Sequence, residues 1–173
     1  WHIFQKYQAT LIAEYIQNVK TVEVMAGSGH VMDLVKKELR KLGADTSKYQ
    51  GFDDGSWEYN APGIVRKEVN DIRLKDYTYV IMAWPPYNSP AAYDVVRHMA
   101  VGSVLLYQGE PFGGCCGCDK FQDYMYEHFV ESHTELTEAL NANHKQWEYI
   151  NDNWEVWTKV SKPKKGSNRN VRG

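Results

Sequence analysis

The nine residues Thr21 to Gly29, Thr-Val-Glu-Val-Met-Ala-Gly-Ser-Gly, limit what this chain can fold into more than any other stretch. Val22 and Val24 are β-branched and favour a strand, whereas Gly27 and Gly29 allow backbone angles and close approaches that a side chain forbids. From His30 to Leu42 the apolar residues Val31, Leu34, Val35, Leu39 and Leu42 fall on one helical face, with lysine and arginine on the other. Strand, glycine turn and helix in this order predict a parallel-sheet unit. The turn then lies at the carboxyl end of the strand, where open α/β sheets bind their ligands.

The remaining chain continues the alternation. Ile3 to Ile16 carries apolar residues at helical spacing, and Gly43 is placed to end the helix that follows the glycine turn. Tyr49 to Asp54 reads as a second strand ending in two carboxylates, Asp53 and Asp54, and Ile64 to Val69 as a third, stopped by Asn70-Asp71. Tyr77 to Trp84 is almost continuously apolar, as a central parallel strand covered on both faces must be. Pro85-Pro86-Tyr87 ends it, because proline cannot donate to the ladder. A helix from Pro90 to the break at Gly102, a fifth strand at Val104 to Tyr107 and a glycine-rich loop from Gln108 to Gly117 follow. Helices at Asp119 to Phe129 and His133 to Ala142 come next. Trp147 to Ile150 and Trp154 to Val160 read as two strands of a terminal antiparallel hairpin, joined by Asn151-Asp152-Asn153. The expectation is one α/β domain over 1–161, with a mostly parallel sheet and helices on both faces. A basic, disordered tail follows at 162–173, where Lys162, Lys164, Lys165, Arg169 and Arg172 meet no acidic residue.

Composition excludes several classes. With 43% hydrophobic and 24% charged residues the chain is neither disordered nor fibrous, and no apolar run reaches the ~20 residues that span a bilayer. A net charge of −2 argues against a broad nucleic-acid footprint. The three cysteines, Cys115, Cys116 and Cys118, lie within four residues. That spacing is too tight for a disulfide framework, so they read as free thiols of a reducing, cytoplasmic compartment. A zinc site on Cys115 and Cys118 completed by His128 or His133 is the alternative, without a second Cys-x-x-Cys to support it.

Taken together, the glycine turn, the acidic end of strand two, Asp71 after strand three and Trp84-Pro85-Pro86-Tyr87 after strand four resemble the class I S-adenosylmethionine-dependent methyltransferases. The resemblance runs from Ile3 to Val160 and implies a Rossmann-like fold with S-adenosyl-L-methionine as cofactor. Glu23-Val24-Met25-Ala26-Gly27-Ser28-Gly29 matches the family's acidic residue followed by alternating glycines, with Met25 in the first glycine position. By the resemblance, Glu23 orients the turn or, through a water, the cofactor amino group. Met25 and Ala26 line the turn, and Gly27 and Gly29 admit the methionine part. Asp53 or Asp54 holds the ribose, Asp71 meets the adenine amino group, and Trp84 borders the cofactor. Pro85, Tyr87 and Glu110 are the candidate catalytic residues, with a small molecule or protein as acceptor.

The residues also carry other readings. Asp53-Asp54-Gly55-Ser56 fits a solvated turn as well as a ribose site. Trp57 can stack on a purine or close the core, and His30 can cap or pack at the helix start. Family members that methylate nucleobase amino groups place an Asp, Asn or Ser before Pro-Pro. Indole only donates, so Trp84 counts against a nucleic-acid acceptor. Three further functions compete: a catalytically silent methyltransferase-like interaction module, which Met25 and Trp84 would suit; a dinucleotide oxidoreductase, which lacks its third glycine because Met32 stands there; and a nucleic-acid amino-methyltransferase, whose binding the basic tail would carry with a steep salt dependence.

Overall fold

The computed structural model describes residues 3–57, 61–111 and 114–161. In chain order the elements are α1 (Lys6–Ile16), β1 (Thr21–Val24), α2 (His30–Lys41), β2 (Tyr49–Asp53), β3 (Ile64–Arg66), β4 (Tyr79–Ala83), α3 (Ala91–His98) and β5 (Val104–Gly109). Then come α4 (Asp119–His128), β6 (Phe129–Glu131), α5 (Thr134–Asn141) and β7 (Asn153–Lys159). One seven-stranded sheet has the order β3-β2-β1-β4-β5-β7-β6. The first five strands are parallel, and β7 runs antiparallel between β5 and β6. Strand order reverses between β1 and β4, and Val24 is in register with both Phe52 and Met82. The turns after β1, β2 and β4 therefore leave the same edge, at the point where such sheets open a crevice.

Side chains alternate across this sheet and build two cores. Val22, Val24, Val80, Met82, Leu105 and Tyr107 meet α3 and α4 on one face. Ile81, Leu106, Trp154 and Val156 meet α1, α2 and α5 on the other. Val80, Ile81 and Met82 are wholly buried, each stabilising the fold by about 1.5–3 kcal/mol. Gly51 in β2 is required by packing, since a Cβ there would stand 2.9 Å from the Met32 sulfur of α2.

Four boundaries differ from the sequence reading, each for a physical reason. The terminal antiparallel pair is present, but β7 pairs with Phe129–Glu131 and not with Trp147–Ile150. Both edges of β7 are thereby taken, which leaves Trp147 and Tyr149 exposed in a loop. β3 stops at Arg66, and Val69–Asp71 winds into a 3-10 turn. α3 stops at His98, where the buried Lys159 ammonium donates to the carbonyls of Val96, Arg97 and Met99 at 2.7–3.0 Å. α1 begins at Lys6, because Gln5 and Gln8 cap each other's backbone. The basic segment 162–173 lies outside the described residues. Among those described, no helix is long and apolar enough to cross a membrane.

Candidate functional site

The glycine turn is built on the end of β2. Ala26 N–H donates to the Phe52 carbonyl at 3.0 Å, and Gly27 N–H to the Asp53 carboxylate at 2.8 Å. The other Asp53 oxygen accepts from Gly55 N–H at 2.8 Å. Asp53, 8% exposed, thus ties the turns after β1 and β2 together and keeps its remaining lone pairs at the edge. Asp54 is exposed and held below the usual carboxylate range by the Ser56 amide, which places it in the local turn. The two glycines of the turn do different work. At Gly27 (φ +51°) a Cβ would have nothing within 4 Å, so a ligand can reach the main chain. At Gly29 (φ +70°) a Cβ would lie 2.9 Å from Ile64, so this glycine serves packing against β3.

Glu23 does not face the edge. It points under α2, where the Tyr49 hydroxyl donates to it at 2.5 Å. Burial pushes its carboxyl up to about 7, against the opposing pull of Tyr49, Lys36 and the Met32 amide. Of the two roles expected for it, support of the turn and its helix is the one these partners serve. Asp71 is exposed at the end of the 3-10 turn, five residues beyond β3, and Glu68 is the first carboxylate after that strand. His30 opens α2 with its ring edge-on to Phe4. Trp57 is 60% exposed and takes no part in the core.

Met25 (φ +53°) after β1 and Trp84 (φ +53°) after β4 sit in left-handed backbone at this edge. Such angles cost about 1–2 kcal/mol each. Both side chains pack on the core shared with α3 and α4. Trp84 is held further by its main-chain N–H on the Gln108 carbonyl at 2.7 Å and by its indole N–H toward Asp152 at 3.4 Å. The same Asp152 oxygen accepts from the Gln108 amide at 2.7 Å and pairs with His144 Nε2 at 3.1 Å. Gln8 reaches His144 Nδ1 from α1 at 3.0 Å. Gln8, Gln108 and Asp152 are at most 1% exposed. The sequence reading missed this cluster. Its one legible signal was Gln8, a polar residue on the apolar stripe of Phe4, Ile12 and Ile16.

Beyond Trp84, the Pro85 carbonyl accepts Gly117 N–H at 3.3 Å, and Asn88 N–H donates to the Gly117 carbonyl at 2.7 Å. The glycine-cysteine loop is thereby clamped onto the Pro-Pro turn, and Tyr87 stands out 70% exposed. Glu110 is not arranged as a base. Its oxygens accept from the Cys115 and Asn151 amides at 2.8 and 3.3 Å, and its contacts with Cys115 hold it below the usual carboxylate range. Hydrogen bonding to that carboxylate pushes the Cys115 thiol up to about 11, and burial raises Cys116. Among the described residues no three metal-ligating side chains cluster, and the rings of His128 and His133 lie against Tyr124 and Tyr15.

The structure therefore brings Met25, Ala26, Gly27, Asp53, Trp84, Pro85 and Tyr87 to one edge, and sets Glu23, Gly29 and Glu110 to internal work. No family model matches the chain, and no curated protein matches it in sequence. Solved structures do. The CcbJ methyltransferase from Streptomyces caelestis aligns over 90% of this chain and 90% of its own, at 11% identity and TM-score 0.51. The ribosomal protein L11 methylase from Lactobacillus delbrueckii subsp. bulgaricus aligns over 88% of this chain and 77% of its own, at 12% identity and TM-score 0.51. The trans-methyltransferase CalH, solved with SAH, aligns over 90% of this chain at 12% identity and TM-score 0.49, and this chain spans only 55% of its length. With the strand order, the glycine turn after β1 and the antiparallel β7 between β5 and β6, the fold of this chain is that of the class I S-adenosylmethionine-dependent methyltransferases.

Proposed function

We propose that the chain is an S-adenosylmethionine-dependent methyltransferase whose acceptor is a small molecule or a protein. The observation that carries this reading is the pairing of an open main-chain position at Gly27 with the Asp53 carboxylate, hydrogen-bonded to each other across the ends of β1 and β2. In this reading the glycine turn takes the methionine part, the free lone pairs of Asp53 take the ribose hydroxyls, and Glu68 or Asp71 meets the adenine. The cofactor supplies a methyl group on a good leaving group. The protein's share is then to align the acceptor, worth several kcal/mol through proximity. Tyr87 and the Pro-Pro turn form the acceptor side.

A nucleobase amino group is a poor fit. It would need an acceptor atom at Trp84, whose indole donates toward Asp152, and the Pro85 carbonyl, which Gly117 already engages. The three unpaired thiols support a reducing, cytoplasmic setting.

Calorimetric titration with S-adenosylmethionine and with its demethylated product, with NADH as control, tests the reading. Micromolar binding that is lost in Gly27→Leu is the expected result. No heat from the folded protein with either sulfur compound would leave the silent interaction module as the better description.

A further inference from the structure

Beside the Pro-Pro turn lies a hollow of about 170 Å³, lined by Tyr87, Asn88, Asp119 and Gln122 together with Gly114 and the stretch from Cys116 to Cys118. Its walls are preformed. The Asn88 and Gly117 backbones are bonded to each other, and Gly117 is bonded to Pro85. A second, smaller hollow of about 40 Å³ shares Gln122 and is lined further by Tyr107, Phe121, Trp157 and Glu155. Glu155 is set among these aromatic rings, and its carboxylate accepts from the Trp157 indole at 3.0 Å.

The chemistry of the two linings is one-sided. They hold two carboxylates, Asp119 and Glu155, and several aromatic rings, but among the described residues no lysine, arginine or histidine. An anion entering there would meet uncompensated negative charge. The amides opening α4 favour an anion, but Asp119 in that first turn already supplies one. A cation gains twice, from the Asp119 carboxylate and from the exposed face of Tyr87, since ring faces attract ammonium groups. The volume admits the end of a small aliphatic amine.

We propose that this hollow is an alkylammonium subsite, which recognises an amine-bearing acceptor next to the methyl-transfer edge. The assignment of this amine as part of the acceptor rests on the methyltransferase reading; the cation selectivity of the hollow does not. Asp119 pairs with the ammonium, Tyr87 covers it, and the side-chain carboxamide oxygens of Asn88 and Gln122 accept its remaining hydrogen bonds.

The test is an amide-resolved NMR titration of the full chain with putrescine, its neutral isostere 1,4-butanediol, and inorganic phosphate. The same samples are titrated calorimetrically with the demethylated cofactor. Putrescine is expected to shift the Asn88, Gly117 and Asp119 amides saturably, and butanediol and phosphate are not. Asp119→Asn, an exposed near-isosteric change, should weaken putrescine about tenfold, and Tyr87→Ala should weaken it less. Equal response to putrescine and butanediol, saturation by phosphate instead, or unchanged affinity in Asp119→Asn each overturns the proposal. Putrescine binding without cofactor binding would retain the subsite and defeat the methyltransferase reading. Cofactor binding without putrescine binding would do the reverse.

Discussion

Glu23 is a carboxyl group placed where ionisation is costly, and that makes the stability of this protein depend on pH in a calculable way. Its side chain is wholly buried beneath α2, and burial raises its carboxyl from 4.5 to about 7. Between these values the folded protein holds a proton that the unfolded chain releases, so stability falls as pH rises through the window. Below about 4.5 the contribution is fully present, and above about 7 it is lost. At about 1.4 kcal/mol per pH unit, the interval corresponds to about 2–3 kcal/mol between pH 5 and pH 8. Glu23→Gln keeps the shape and an acceptor for the Tyr49 hydroxyl but has no proton to lose. Urea unfolding of both proteins at pH 5 and pH 8 isolates the effect, because every other titration is common to the pair. The stability of the variant relative to the parent should rise by about 2–3 kcal/mol from pH 5 to pH 8. Parallel pH profiles would refute the placement of an ionisable, desolvated carboxyl at this position.

Other perturbations have defined outcomes. Asp152→Ala removes the shared acceptor of Gln108, His144 and Trp84, and chemical denaturation should show a loss of about 3–5 kcal/mol. Lys159→Met strips the end of α3 of its buried donor to three carbonyls; a loss of about 1–3 kcal/mol is expected in the same assay. Gly29→Ala forces a Cβ to 2.9 Å from Ile64 at φ +70° and should cost more than about 1 kcal/mol, whereas Gly27→Ala meets open space and pays only the backbone term. Glu110→Gln removes the anion that holds the Cys115 thiol up to about 11. Cys115 should then alkylate faster at pH 8.5, and an unchanged rate would show that the carboxylate does not govern the thiol.

Local physics made much of this protein readable from its residues. The strand at Thr21, the glycine turn, the helix at His30 and the apolar run through Val80 to Met82 each carry their own periodicity or punctuation. Their order implied the parallel sheet and the edge that carries the turns after β1, β2 and β4. Readability failed where a residue's role is set by a neighbour distant in sequence. Phe129–Glu131 is three residues long and follows a helix without a break, so only pairing with β7 makes it a strand. Trp147–Ile150 has the composition of a strand but finds no free edge. Glu23 and Glu110 stand where the motif and the loop place carboxylates, yet Tyr49, Cys115 and Asn151 turn them to internal work. The cluster of Gln8, Gln108, His144 and Asp152 draws on four separated segments. Periodicity records which face of an element is apolar, but a buried polar group is settled by the partner that reaches it, and only the tertiary structure brings that partner within hydrogen-bonding distance.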